Sequence, residues 1–158
     1  MGTRRQARIY ALQALYQMDL SDITGAAALN LLWTGLLDEE GQEEIRAPES
    51  SEVEFAQRIV LGVEEHRAKI DALIEECSIN WRLARMPLVD RNVLRIAAFE
   101  LLLCADVPAT VSVNESIELA KAFGTADSRA FVNGIVDRIG RSVGRLDGKR
   151  RRGKTEQS

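Results

Sequence analysis

Histidine occurs once, proline three times and cysteine twice, and aromatic residues fill only 5% of the 158 positions. Each scarcity excludes something. Cys77 and Cys104 stand inside apolar helical patterns with no second Cys or His at ligand spacing, so a zinc site is excluded and both read as small buried hydrophobes. His66, in V-E-E-H-R, reads as a helix-surface or interhelix residue rather than a general base. There is no G-x-x-x-x-G-K-[ST], no G-x-G-x-x-G and no G-x-S-x-G, so phosphate cradles and nucleophile elbows are missing. Carboxylate pairs such as Glu64/Glu65 and Glu75/Glu76 are sequence neighbours on expected helices and diverge rather than converge. No catalytic residue, metal or small-molecule cofactor is implied. Long apolar runs are missing as well: residues 96–99 and 101–105 are cut by charges, far short of the roughly 20 apolar positions of a membrane span. The start of the chain lacks the apolar block of a signal peptide, so a cytoplasmic protein is expected.

What is present is 46% apolar and 28% charged sequence, the composition of one globular domain. A chain of this length buries about 70% of its unfolded surface, enough for a core without staples. Charge is unevenly placed. Arg4, Arg5 and Arg8 lie within the first ten residues, and Arg141, Arg145, Lys149, Arg150, Arg151, Arg152 and Lys154 crowd the last eighteen. The net charge of −3 therefore hides an acidic middle. Basic ends fit nucleic acid, since each phosphate contact releases counterions.

Periodicity predicts helices and no convincing strand. Ile9, Leu12, Leu15 and Tyr16 recur at three- and four-residue steps behind a Thr3 cap, and residues 23–37 repeat the pattern. Residues 38–54, with eight acidic side chains and only Arg46 opposing them, read as an exposed acidic loop. S-E-V-E at 51–54 and S-V-N-E at 112–115 fit capping boxes, and the helix after the first is expected to break near His66. Pro87 opens the most apolar helix, and D-V-P at 106–108 closes it. Gly124 suits a left-handed helix stop, and Thr125 or Asp127 can cap a last helix carrying Phe131, Val132, Ile135, Val136 and Ile139. The expected fold is all-α, a compact bundle of six or seven helices over residues 1–140, followed by a basic, disordered tail at 141–158.

Three arginines at a helix N-terminus oppose the helix dipole, which makes a structural motive weak and a nucleic-acid role attractive. Arginine forks bind phosphate and stack on unpaired bases. Tyr16, two turns beyond Arg8, offers a ring on the same face or is an ordinary core aromatic. Phe131, Val132 and Asn133 read mainly as packing and capping, with an RNA-facing ring as the lesser option.

R-R-Q-A-R at 4–8, A-L-Q-A-L-Y at 11–16, V-L-R-I-A at 93–97, V-N-E-S-I-E-L-A-K at 113–121 and F-G-T-A-D-S-R-A-F-V-N-G at 123–134 resemble, in order, the blocks of the NusB family of bacterial transcription antitermination factors. The resemblance implies two packed helical subdomains and no enzymatic activity. It also implies binding, together with the ribosomal protein NusE, to the single-stranded boxA element of ribosomal RNA leader transcripts. Other Nus factors and RNA polymerase complete the implied assembly, which reads through terminators. Carried over position by position, Arg5 and Arg8 match the arginine-rich RNA-binding start, Tyr16 matches the tyrosine near RNA and NusE, and Asp90 and Asp127 match acidic positions of that surface. We expect Arg4, Arg5 and Arg8 to take phosphates or bases, Lys121 and Arg129 to extend the strip, and Arg5/Arg8 alanine variants to flatten the salt dependence. Gln6 departs from members with a third consecutive arginine, which shifts weight to NusE or Arg4. Two other readings are weighed. One is the helical accessory domain of a ribosomal RNA cytosine methyltransferase, not expected here because the sequence after the helical part is too short for a methyl-donor site and its catalytic cysteines. The other is a non-specific nucleic-acid binder, with a homodimer that hides the RNA surface as the alternative free state.

Overall fold

The computed structural model describes residues 3–38, 47–79 and 81–147, and within them the chain is all-helical. Seven α-helices follow one another: α1 (Arg4–Ser21), α2 (Gly25–Asp38), α3 (Ser50–Glu65), α4 (Arg67–Cys77), α5 (Leu88–Leu103), α6 (Ala109–Phe123) and α7 (Ser128–Ser142), with a 3₁₀ turn at Leu83–Arg85. α1–α3 pack as one group and α4–α7 as another, and α5 joins them by lying against α1 and α3 on one side and α4, α6 and α7 on the other. That position explains its composition. Every residue from Asn92 to Leu101 is buried, and each large apolar side chain taken out of water there contributes about 1.5–3 kcal/mol.

The helix ends follow local chemistry, with several departures from expectation. Thr3 caps α1, its Oγ1 accepting from the Gln6 amide at 3.0 Å. The break at His66 is present between α3 and α4. The box at the start of α3 lies two residues earlier than expected: Glu52, only 1% exposed, accepts from the Glu49 amide at 3.1 Å and from the Thr3 amide at 3.0 Å. One carboxylate thus closes the starts of two helices, which is why it is buried and why residues 50–54 are helix rather than acidic loop. Residues 39–46 lie outside the described residues. α6 likewise starts earlier, behind Pro108, and Ser112 is a buried first-turn residue whose hydroxyl donates to Glu100 at 2.8 Å. Gly124 is not left-handed, at φ −93°. It is glycine for space, because a Cβ would stand 2.4 Å from the Ser128 hydroxyl that accepts the Thr125 amide. Neither Thr125 nor Asp127 caps α7 through its side chain.

The chain stays folded past residue 140. Gly144 turns it with φ +76°, Leu146 packs on Gly140, and the Arg145 guanidinium donates to the carbonyls of Leu101 at 2.9 Å and Val107 at 2.6 Å. Arg145 closes the C-terminal end of α5, so residues 141–147 belong to the body and not to a tail. Residues 148–158 lie outside the described residues.

A polar network sits inside the joint between the two groups. Arg95, 3% exposed, bonds both oxygens of Asp71 at 2.9 and 3.1 Å and Asp19 at 2.8 Å, and Asp19 also accepts from Arg67 and Asn92 at 3.0 Å each. It links α1, α4 and α5, and each of its arginines faces a carboxylate of opposite sign. Cys77 and Cys104 are buried, and burial pushes both thiols above their ordinary range.

Candidate nucleic-acid interface

The arginines of α1 do not form one phosphate-binding row. Each meets a carboxylate from the other side of the bundle, which answers the dipole argument: the cations are tolerated at the helix start because acids stand opposite them. Arg8 is buried, and its guanidinium forks onto Glu100 with two bonds of 2.7 Å. It is a structural residue with no face for RNA. Arg5 keeps 61% of its side chain exposed and grips Glu115 of α6 through Nε at 3.0 Å and Nη2 at 2.8 Å. Arg4 lies half exposed, 3.5 Å from Asp106, with its guanidinium 4.3 Å above the Phe55 ring.

Arg58 of α3, which sequence reasoning passed over, completes that corner. It bonds both oxygens of Asp106, at 3.0 and 2.7 Å, and with Arg4 borders an open cleft of about 240 Å³ over Phe55. The signal was its spacing, three residues after Phe55, on the helix that faces α1.

These pairs perturb the acids. The hydrogen bonds from Arg58 hold the Asp106 carboxyl far below the usual carboxylate range, and the Arg5 fork lowers Glu115. A carboxyl depressed in the fold stabilises above its unfolded pKa and loses that contribution as pH falls through the native value. The variant Asp106→Asn/Glu115→Gln is therefore expected to lose less stability on acidification from pH about 5 downward than the parent, as read by urea titrations across that range. An acid limb identical to the parent's would show that neither pair contributes.

Lys121 and Arg129 do come together. They border an open groove of about 500 Å³ between α6 and α7 with Ile117, Glu118, Ala130 and Asn133. Both are exposed, and neither has an ion-pair partner among the described residues. Arg5 grips Glu115, and Glu118, one turn along α6, borders the same groove as Lys121 and Arg129, so the five follow one another along this face. Tyr16 is 36% exposed and shares a stripe of α1 with Arg5, not Arg8. Eleven residues at about 100° each return to within about 20°, roughly 16 Å along the helix.

Of the two predicted acids, only Asp127 is exposed. Asp90 is 4% exposed in the first turn of α5, where its Oδ1 accepts from the Ser128 hydroxyl at 2.6 Å. Ser128 is itself buried, so this bond ties the start of α7 to α5 from the inside. The two aspartates border a recess of about 220 Å³ with Trp81, Pro87, Thr125 and Phe131. Trp81, half exposed and edge-to-face with Phe131 at 6.1 Å, is a second residue missed. A wall of aromatic rings beside carboxylates suits a cationic or flat group from a partner. Among the described residues no group of His, Cys, Asp and Glu could hold a metal ion, and no helix is long and apolar enough to cross a membrane.

Comparison with known proteins sets this geometry in context. The model of the NusB family matches residues 5–141. The transcription antitermination protein NusB of Myxococcus xanthus is 48% identical over 139 residues, spanning 88% of this chain and 95% of that protein. That of Desulforapulum autotrophicum is 45% identical over 88% of this chain and 92% of its own. Among solved structures, T. maritima NusB superposes with a TM-score of 0.73 at 38% identity over 89% of this chain and 93% of that one. A chain from the complex of antitermination factors NusB and NusE with dsRNA shares the fold, with a TM-score of 0.74 at 23% identity over 88% and 96%.

Proposed function

The chain belongs to the NusB family of transcription antitermination proteins, which are not enzymes, and on that premise we propose that it binds the single-stranded boxA element of ribosomal RNA leaders jointly with NusE. In this reading the complex works in the cytoplasm, joins other Nus factors and RNA polymerase, and helps the polymerase pass terminators in ribosomal RNA operons. The observation that carries it is the pair Lys121 and Arg129, two exposed cations without ion-pair partners among the described residues, beside the free edge of Arg5. Single-stranded RNA is held by such a basic strip plus flat platforms, and Tyr16 lies on Arg5's stripe. A family fold already solved with NusE and RNA supports the assembly. The recess of Trp81, Asp127 and Phe131 is the surface offered to NusE or the adjoining RNA, with Asp90 holding Ser128 and the start of α7 from behind.

Fluorescence anisotropy of labelled boxA RNA, with and without NusE and against a scrambled RNA of equal length, tests this. Selective binding that tightens with NusE is expected. Equal weak binding to both RNAs, indifferent to NusE, would overturn it in favour of a non-specific binder. The variant Lys121→Ala/Arg129→Ala is expected to bind about tenfold more weakly near physiological salt. It should also lower the slope of log affinity against log salt by about 1.4, at about 0.7 per lost phosphate contact on a single strand. An unchanged slope would remove this pair from the RNA path.

A further inference from the structure

Arg5 is exposed but is not a free charge. Both oxygens of Glu115 lie along its Nε–Nη2 edge, so the pair carries no net charge, while the Nη1 amino group and the outer N–H of Nη2 stay available. Glu115 is itself pinned. It is 16% exposed, and behind it stands the buried guanidinium of Arg8 at 3.9 Å, which in turn is forked onto Glu100. Charges therefore alternate from the core outward as Glu100, Arg8, Glu115, Arg5, and the outermost guanidinium has its plane set by a carboxylate attracted from behind by Arg8. One turn further along α6, Glu118 adds negative charge near Arg5, and one turn beyond that Lys121 begins the unpaired cations. A phosphate approaching this strip is drawn to Lys121 and Arg129 and repelled at Glu115 and Glu118.

Resting on the function proposed above, we propose that Glu115 is a specificity-determining positioning residue that presents Arg5 to an unpaired RNA base rather than to a phosphate. The Nη1–Nη2 edge held this way offers parallel donors to the acceptors of a purine edge, and the guanidinium plane offers a stacking face. Sequence selectivity then sits at Arg5, and salt-dependent affinity sits at Lys121 and Arg129.

The test compares the full-length protein with Glu115→Ala, Glu115→Gln, Arg5→Ala and the double Arg5→Ala/Glu115→Ala. It measures anisotropy on boxA and scrambled RNA over a salt series, with thermal melts to verify folding. Glu115→Ala frees Arg5 as a mobile cation. Scrambled RNA should bind more tightly, the boxA-to-scrambled ratio should fall about tenfold, and the salt slope should steepen by about 0.7. Glu115→Gln, keeping one acceptor for the fork, should steepen the slope equally but retain part of the ratio. Arg5→Ala should lose the ratio with its slope unchanged, and adding Glu115→Ala to it should not steepen the slope. The proposal is overturned if Arg5→Ala flattens the slope by about 0.7 as an ordinary phosphate contact would, or if Glu115→Ala leaves slope and ratio alone. Should the parent protein show no preference for boxA, the preceding functional reading fails. The slope on any single-stranded RNA still judges Glu115, since a neutralised Arg5 must gain a counterion-releasing contact when its partner is removed.

Discussion

Arg8→Ala is expected to cost about 3–5 kcal/mol of folding stability, the range for removing one partner of a buried ion pair. Glu100, 1% exposed, would keep only the Ser112 hydroxyl as a donor, and its charge would be stranded in the most buried helix of the bundle. A loss of this size lowers the melting temperature of a chain this long by roughly 6–20 °C. The double variant Arg8→Met/Glu100→Leu should recover most of it, because replacing both charges with apolar groups of similar size removes the desolvation cost along with the attraction. Urea denaturation of the single and double variants checks both statements. If Arg8→Ala lost less than about 1 kcal/mol while RNA binding fell tenfold, Arg8 would be an RNA ligand after all and the burial argument would fail.

Arg95→Ala comes next, with an expected loss of about 3 kcal/mol, at the lower end of that range. The lower figure follows from the neighbours: Arg67 and Asn92 remain on Asp19, and Arg67 also reaches Asp71 at 3.3 Å. Arg95→Lys should rescue only part. An ammonium cannot span two aspartates with a planar fork, three of whose bonds here go to Asp71 and Asp19 at 2.8–3.1 Å. Equal stability of the lysine variant and the parent, by urea midpoint at constant slope, would show that charge alone suffices at this site.

The helices were legible because apolar period and stop signals agree along the chain. Thr3, Pro87 and the break at His66 were all readable from neighbours a few positions away. What was not legible depends on partners far off in sequence. Nothing in R-R-Q-A-R distinguishes Arg5 from Arg8, yet one is 61% exposed and the other 3%, and the difference lies in Glu115 and Glu100, about a hundred residues away. The capping boxes misled for the same reason. Glu52 has a second partner in Thr3, and the Ser112 hydroxyl turns inward to Glu100 instead of capping a helix start. Gly124 shows the remaining kind of error, a right position for the wrong cause: close approach of Ser128 rather than left-handed backbone. Lys121 and Arg129 border one groove, whereas Trp81, Arg58 and Glu115 become visible only once the helices and the α4–α5 connection are in place.

The separation of 92 positions between Arg8 and Glu100 also sets a clock during synthesis. At about 5–20 residues per second, α1 leaves the ribosome roughly 5–18 s before the helix that carries its counter-ion. During that interval α1–α3 can form helices and meet one another, but docking α1 fully would bury a guanidinium with no carboxylate to meet it. In the folded molecule the first half thus depends on the second for the carboxylate that neutralises Arg8. The N-terminal arginine has its counter-ion only once α5 is made, and α6, made after it, meets the same Glu100 carboxylate through Ser112 and carries Glu115 to Arg5.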